Sequence, residues 1–203
     1  MPAIKWLLVI TIGFTFFSIN AFALDIRHNG NFISLSGEII PNDFNDFYKA
    51  TSNKKIVPIY LNSGGGHVEE AIKIGTLIRA KGYETRLAQN ATCASACVLI
   101  FAGGIIRSAD QSSKIGLHMT SSIYNDATTK KVTDLIEAEG KDAVPYIVSF
   151  FEASSAKITM RQVAYLLKMG VSLRLLEHSI SVHHTDIDWL TKMQSKDFNI
   201  INN

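Results

Sequence analysis

Residues 62–68 read N-S-G-G-G-H-V, residues 93–97 read C-A-S-A-C, and residues 115–118 read I-G-L-H. The order of elements around these three runs decides the fold. Ile56–Leu61, just before the first, is a compact apolar run of strand length. Its Pro58 cannot donate to a ladder, so that position is peripheral or bulged. Just after it, Val68–Lys81 places Val68, Ala71, Ile72, Gly75 and Ile78 at helical spacing. Glu69, Glu70, Lys73 and Arg79 take the other face, and Gly82 stops the helix. The glycine triplet therefore reads as a turn from strand into helix, where free backbone N–H groups can cradle an anion. Tyr83–Ala88 alternates as a strand, Ser95–Ala102 is a short apolar helix ended by Gly103-Gly104, and Lys114–His118 is another strand. Strand, helix, strand, helix, strand predicts an α/β fold with crossover connections.

Upstream, Asp25–Ile40 reads as a β-hairpin turning at Asn29-Gly30, and Pro41-Asn42-Asp43 opens a short helix carrying Phe44, Phe47 and Tyr48. Downstream of Met119 the pattern becomes helical, over Thr129–Gly140, Lys141–Ser155, Thr159–Met169 and Leu173–His178. No repeat, linker or low-complexity tract interrupts the chain. Residues 24–203 are thus expected to form a single domain, with a helical C-terminal appendage over about residues 129–180.

The first 23 residues stand apart. Lys5 is the only charged residue before Asp25, Trp6–Phe17 is almost wholly apolar, and Ala21-Phe22-Ala23 presents small residues at the positions a signal peptidase inspects. This pattern predicts a signal peptide cleaved after Ala23, and a periplasmic or secreted protein with no membrane segment after cleavage. The alternative is an uncleaved membrane anchor. With Lys5 gone, the 20 Lys and Arg fall to 19 against 18 Asp and Glu. A chain so nearly neutral, with no basic stripe, does not argue for nucleic acid. Export implies an oxidising compartment, where Cys93 and Cys97 are paired rather than free. Their spacing puts the α-carbons about 6 Å apart on a helix, within disulfide range. Such a bridge would lock the turn around Ser95 while closing too small a loop to stabilise the whole fold much. Free buried thiols are the alternative.

Ser95 is a candidate nucleophile. A serine hydroxyl attacks a carbonyl only if a base removes its proton and donors hold the resulting oxyanion. Ala94 and Ala96 permit a tight turn, and a helix starting here aims the Ala96 N–H at a developing negative charge. A capping serine at a packed helix start explains the same letters. The run lacks the glycines of a nucleophile elbow. The glycine triplet lacks the spacing or lysine of a nucleotide loop, which leaves a second oxyanion donor as its better use. His118 follows Ser95 by 23 residues and ends an apolar strand. Among the other histidines, His67 is expected at the mouth of the site, and His28 and His178 on the surface. His183-His184 with Asp186 does not read as a metal site, because adjacent histidines point apart. A serine–lysine dyad through Lys114 ranks low.

Taken together, N-S-G-G-G-H-V, the amphipathic helix, C-A-S-A-C, F-A-G-G-I-I-R (Phe101–Arg107) and I-G-L-H resemble the proteolytic subunit of Clp protease in order and spacing. They resemble still more the exported Clp-subunit-like proteins of bacteria, which share the ClpP/crotonase fold of repeated ββα units. The resemblance covers Ile56–His118, with a weaker tail around Asp186–Thr191. It implies Ser95 as nucleophile, His118 as base, and the N–H groups of Gly66 and Ala96 as oxyanion hole. The family's turn proline falls on Gly64 here. The family's acid precedes a Leu-Ser/Thr step like Leu190-Thr191. Strict correspondence puts Ile187 there, between Asp186 and Asp188, whereas the exported relatives' D-x-x-W-L-T pattern favours Asp186.

The expected function is an exported, ATP-independent serine hydrolase, a peptidase working through a Ser–His–Asp triad without a cofactor. A non-catalytic binding or assembly protein on the same fold is the alternative outside enzymes, and an esterase or thioesterase the one within them. Expected partners are a peptide or acyl substrate. Self-association is also implied, since the helix comparable to Thr129–His178 stacks rings in the Clp subunit.

Overall fold

A computed structural model describes residues 23–121 and 126–203, apart from the side chains of Asp126 and Ala127. Except for Ala23, the predicted signal segment lies outside the described residues. β1 (Asp25–His28) and β2 (Ile33–Ile39) pair antiparallel as the expected hairpin. Asn29 shapes the turn by accepting the N–H groups of Asn31 and Phe32, each at 3.0 Å. After α1 (Asp43–Thr51), β3 (Ile59–Gly66) runs parallel to β2. β3 begins directly after Pro58, whose carbonyl accepts the Ile33 N–H at 3.0 Å. The glycine triplet is therefore the end of a strand rather than a turn, because β2 pairs with it as far as Ile39 opposite Gly66.

The strand–helix alternation follows. α2 (Val68–Lys81), β4 (Thr85–Leu87), β5 (Thr92–Ala94), α3 (Ala96–Ala102), β6 (Arg107–Ala109) and β7 (Lys114–Leu117) succeed one another. β3 forks the sheet. Its start pairs parallel with β4, which pairs with β6, and Ser63 near its end pairs with Cys93 of β5, which pairs with β7. β4-β5-α3 is thus a ββα unit whose two strands enter different branches, and β6-β7 repeats the split.

The C-terminal part is more continuous than the sequence pattern predicts. α4 (Asp126–Glu139) and one 3-10 turn (Gly140–Ala143) lead into α5 (Val144–Lys168), a 25-residue helix. The break expected at residues 156–158 is absent, since no glycine or proline there ends the helix. α6 (Arg174–Ser181), β8 (Asp188–Trp189) and α7 (Lys192–Asp197) complete the chain, with β8 antiparallel to β7. No described helix is long and apolar enough to cross a membrane.

α3 holds the centre. All seven of its residues are apolar and buried, as a helix without a polar face must be. Its last carbonyls would be orphaned in such a place. Thr85 Oγ1 donates to the Phe101 carbonyl at 2.7 Å, and two arginines hold the chain at and just past the helix end. Arg79 donates to the carbonyls of Ala102, Gly103 and Gly104. Arg107, 1 % exposed, donates to Gly104, Asn199 and Ile200. Burial first, and the nearby Arg79 second, lower the Arg107 guanidinium to about 10. On the other side of α3, Tyr165 of α5 donates its hydroxyl to Leu99 at 2.6 Å, docking the helical part onto the core.

Candidate functional site

Ser95 joins β5 to α3 with φ 54° and ψ −128°, a left-handed-side backbone that a side chain rarely adopts. Holding it there costs about 1–3 kcal/mol, which the surrounding structure must supply. The sources of that support are visible. The Ser95 N–H donates to Gly116 of β7 at 3.0 Å, and the Ser95 carbonyl accepts the first helical N–H, from Val98, at 3.0 Å. Its hydroxyl does not cap the helix and makes no hydrogen bond among the described residues. The capping-serine explanation therefore fails. The amides of Ala96 and Cys97 precede that first helical bond and have no backbone acceptor among the described residues.

Gly65 makes this approach possible. A methyl group on it would lie 2.7 Å from Ser95 Cβ, 2.8 Å from the Ala94 oxygen and 3.0 Å from the Ala96 nitrogen. Its own N–H is taken by Ser63 Oγ at 3.1 Å, and that hydroxyl donates to Gly37 at 2.6 Å. Buried Ser63 thus ties the glycine run to the bulge in β2, a role its letter did not announce. Gly66 lies against the backbone of Ile39, where a side chain would collide. The next N–H, from His67, donates to Ile39 at 2.7 Å. Successive amides alternate along a strand, so the Gly66 N–H faces the β5 side.

His118, half-buried at the end of β7, lines one cavity with Ser95 and Ala96; Val68, Leu99, Gln162 and Leu176 are also on its wall. The His118 Nδ1 lies 2.8 Å from the Met119 carbonyl. A carbonyl can only accept, so Nδ1 carries the proton and the neutral ring keeps its lone pair on Nε2. The segment is itself held. Ser179 Oγ donates to the His118 carbonyl at 2.6 Å, and the Met119 N–H donates to Val182 at 2.9 Å.

The aspartates do not join this group. Asp186 is exposed in a turn closed by its own N–H to His183 at 3.0 Å, and its nearest side-chain partner is Thr185 at 3.5 Å. Asp188 is claimed by His178, whose Nε2 lies 2.6 Å from Asp188 Oδ2. His178 is accordingly a partner in β8 docking rather than a bare surface residue. His67 caps α2 by accepting the Glu70 N–H at 3.3 Å, and it does not line the cavity. The rings of His183 and His184 lie against each other, centroids 4.2 Å apart and tilted by 42°, instead of pointing apart. The Lys114 ammonium rests over the Trp189 ring, 5.7 Å from its centroid.

Cys93 and Cys97 form a disulfide across Ser95, their α-carbons 5.3 Å apart.

No protein-family model and no curated protein matches the sequence. A solved structure does. A point mutant of ClpP1 from Listeria monocytogenes superposes with a TM-score of 0.53 at 19% identity, covering 85% of this chain and 90% of that one. The chain has the ClpP-like fold. At that identity the likeness speaks for the fold alone.

Proposed function

We propose that this chain is a serine hydrolase, with peptide bonds as substrate and Ser95 as nucleophile. The observation that carries this is the pairing of an unspent Ser95 hydroxyl, on strained backbone, with a His118 whose Nδ1 proton is already committed to a carbonyl. Nε2 is then the free base of the cavity. It takes the Ser95 proton as Oγ attacks the substrate carbonyl, and returns it to the leaving amine. The N–H groups of Ala96 and Gly66 receive the oxyanion. Water then repeats the sequence on the acyl-enzyme. Here the Met119 carbonyl orients His118, in place of Asp186.

The N-terminal segment supports export to the periplasm or beyond, where no ATP-driven unfoldase works, so the substrates would be short or already unfolded. Exposed Tyr146, Phe150 and Met160 on α5 support self-association. A second reading, a binding protein that has lost catalysis, draws on one observation: Ser95 and His118 share no hydrogen bond in this structure. The test is turnover of fluorogenic peptides by the purified mature chain. The proposal expects hydrolysis that Ser95→Ala reduces to background. Equal rates for the two proteins, or none from either, would favour the binding reading.

A further inference from the structure

Ser95 is gripped from both sides by one covalent bond. Cys93 lies on β5, paired with Ser63 and Ile115, and Cys97 lies in the first turn of α3. Only Ala94, Ser95 and Ala96 separate them, and Ser95 alone of these has positive φ. The natural relaxation for such a residue is extended backbone, which would continue β5. Four residues of strand span about 13 Å, whereas the two α-carbons stand 5.3 Å apart. The bridge forbids that escape. It also keeps Ser95 Cβ so close to Gly65 that a methyl group there would lie 2.7 Å from it.

Both cysteines are fully buried. A reductant in solution cannot reach the sulfurs of the folded chain, so the bond is set before or during folding and then stays.

We propose that Cys93 and Cys97 are positioning residues for Ser95, and that their oxidation by a disulfide donor is a maturation step without which the nucleophile turn does not form. This rests on the hydrolase reading above and adds a requirement to it. In the step, the Cys93 thiolate attacks the donor disulfide and expels one donor thiol. The Cys97 thiolate then attacks the mixed disulfide and expels the second. The two thiol protons end on the reduced donor, and two electrons pass to it. The reaction that must precede activity is thus thiol–disulfide exchange with an oxidised protein or small-molecule disulfide.

The test compares oxidised wild type with the Cys93→Ala/Cys97→Ala variant by thermal melting, fluorophosphonate labelling and hydrolysis of a p-nitrophenyl ester. The proposal expects both proteins to fold. It expects labelling and kcat to fall about a hundredfold in the variant, as misplacing a nucleophile by about 1 Å does, with KM within about twofold. Should the variant not fold, wild type refolded under a phosphine reductant replaces it, and unfolding that protein and refolding it with glutathione disulfide must restore labelling. Equal labelling of both folded proteins overturns the lock and leaves the hydrolase reading standing. Alkylatable thiols in denatured, unreduced wild type also overturn it. No labelling of oxidised wild type removes the hydrolase reading and the proposal together.

Discussion

His118 Nδ1 donates to the carbonyl of Met119, its own chain neighbour, at 2.8 Å, and no carboxylate reaches the ring among the described residues. A carbonyl fixes the tautomer as an aspartate would, but it brings a dipole where the aspartate brings a full charge. On the proposed mechanism the imidazolium formed during attack is therefore less stabilised, and turnover should be slow for a serine hydrolase.

Asp186→Asn should accordingly leave kcat within about twofold of wild type, where an aspartate that orients a histidine costs about 10⁴. A loss of that larger size would return the role to Asp186. Asp188→Asn should instead show in stability. It breaks the partly exposed pair with His178, worth no more than about 1 kcal/mol, and a urea titration would register it.

Two neighbouring glycines should behave oppositely. Gly64 has open space around its Cα, so Gly64→Ala is expected to be nearly silent. Gly65→Ala forces a methyl group onto Ser95 Cβ, at positive φ besides. Labelling by an active-site probe should fall about a hundredfold or more. Comparable activity in both variants would show that Gly65 does not set the nucleophile's place.

Tyr165 gives a pH signature. Burial raises its phenol above the ordinary value, and its hydroxyl donates to Leu99. Below about pH 10 both folded and unfolded chains keep the proton, so the contribution is fully present. As pH rises further, the unfolded chain releases the proton first and stability falls. Tyr165→Phe should cost about 1–2 kcal/mol near neutrality and remove that part of the alkaline loss. Urea midpoints at about pH 8 and about pH 11 would measure both effects.

α5 leaves large apolar side chains in water, Tyr146 at 70% and Phe150 at 62% exposed. Tyr146→Glu with Phe150→Glu should lower the mass seen by light scattering if α5 mediates self-association. An unchanged mass would assign those residues another role.

The fold was legible where the chain writes periodicity. Val68–Lys81 and the buried α3 stand where the pattern put them. The three-residue strands β5 and β6 were not, because alternation needs more positions to show itself. The glycine triplet misled as a turn, since its extended pairing comes from β2, far away in sequence. Ser95 and His118 carried letters suggestive of chemistry, and both line one cavity. Asp186 did too, yet its turn keeps it in solvent. The partner His118 does have is a main-chain oxygen, which no letter of the sequence distinguishes. Arg107 reads as an ordinary charge, and only the meeting of α3 with residues 199–200 explains it.

The central claim is that Ser95 is a nucleophile made reactive by His118. Intact-mass analysis after fluorophosphonate treatment tests it most directly. Wild type should gain one adduct, mapped to Ser95 by peptide sequencing. Ser95→Ala should gain none, and His118→Ala should react about a thousandfold more slowly. An unmodified, folded wild-type protein, or an adduct that persists in Ser95→Ala, would contradict it.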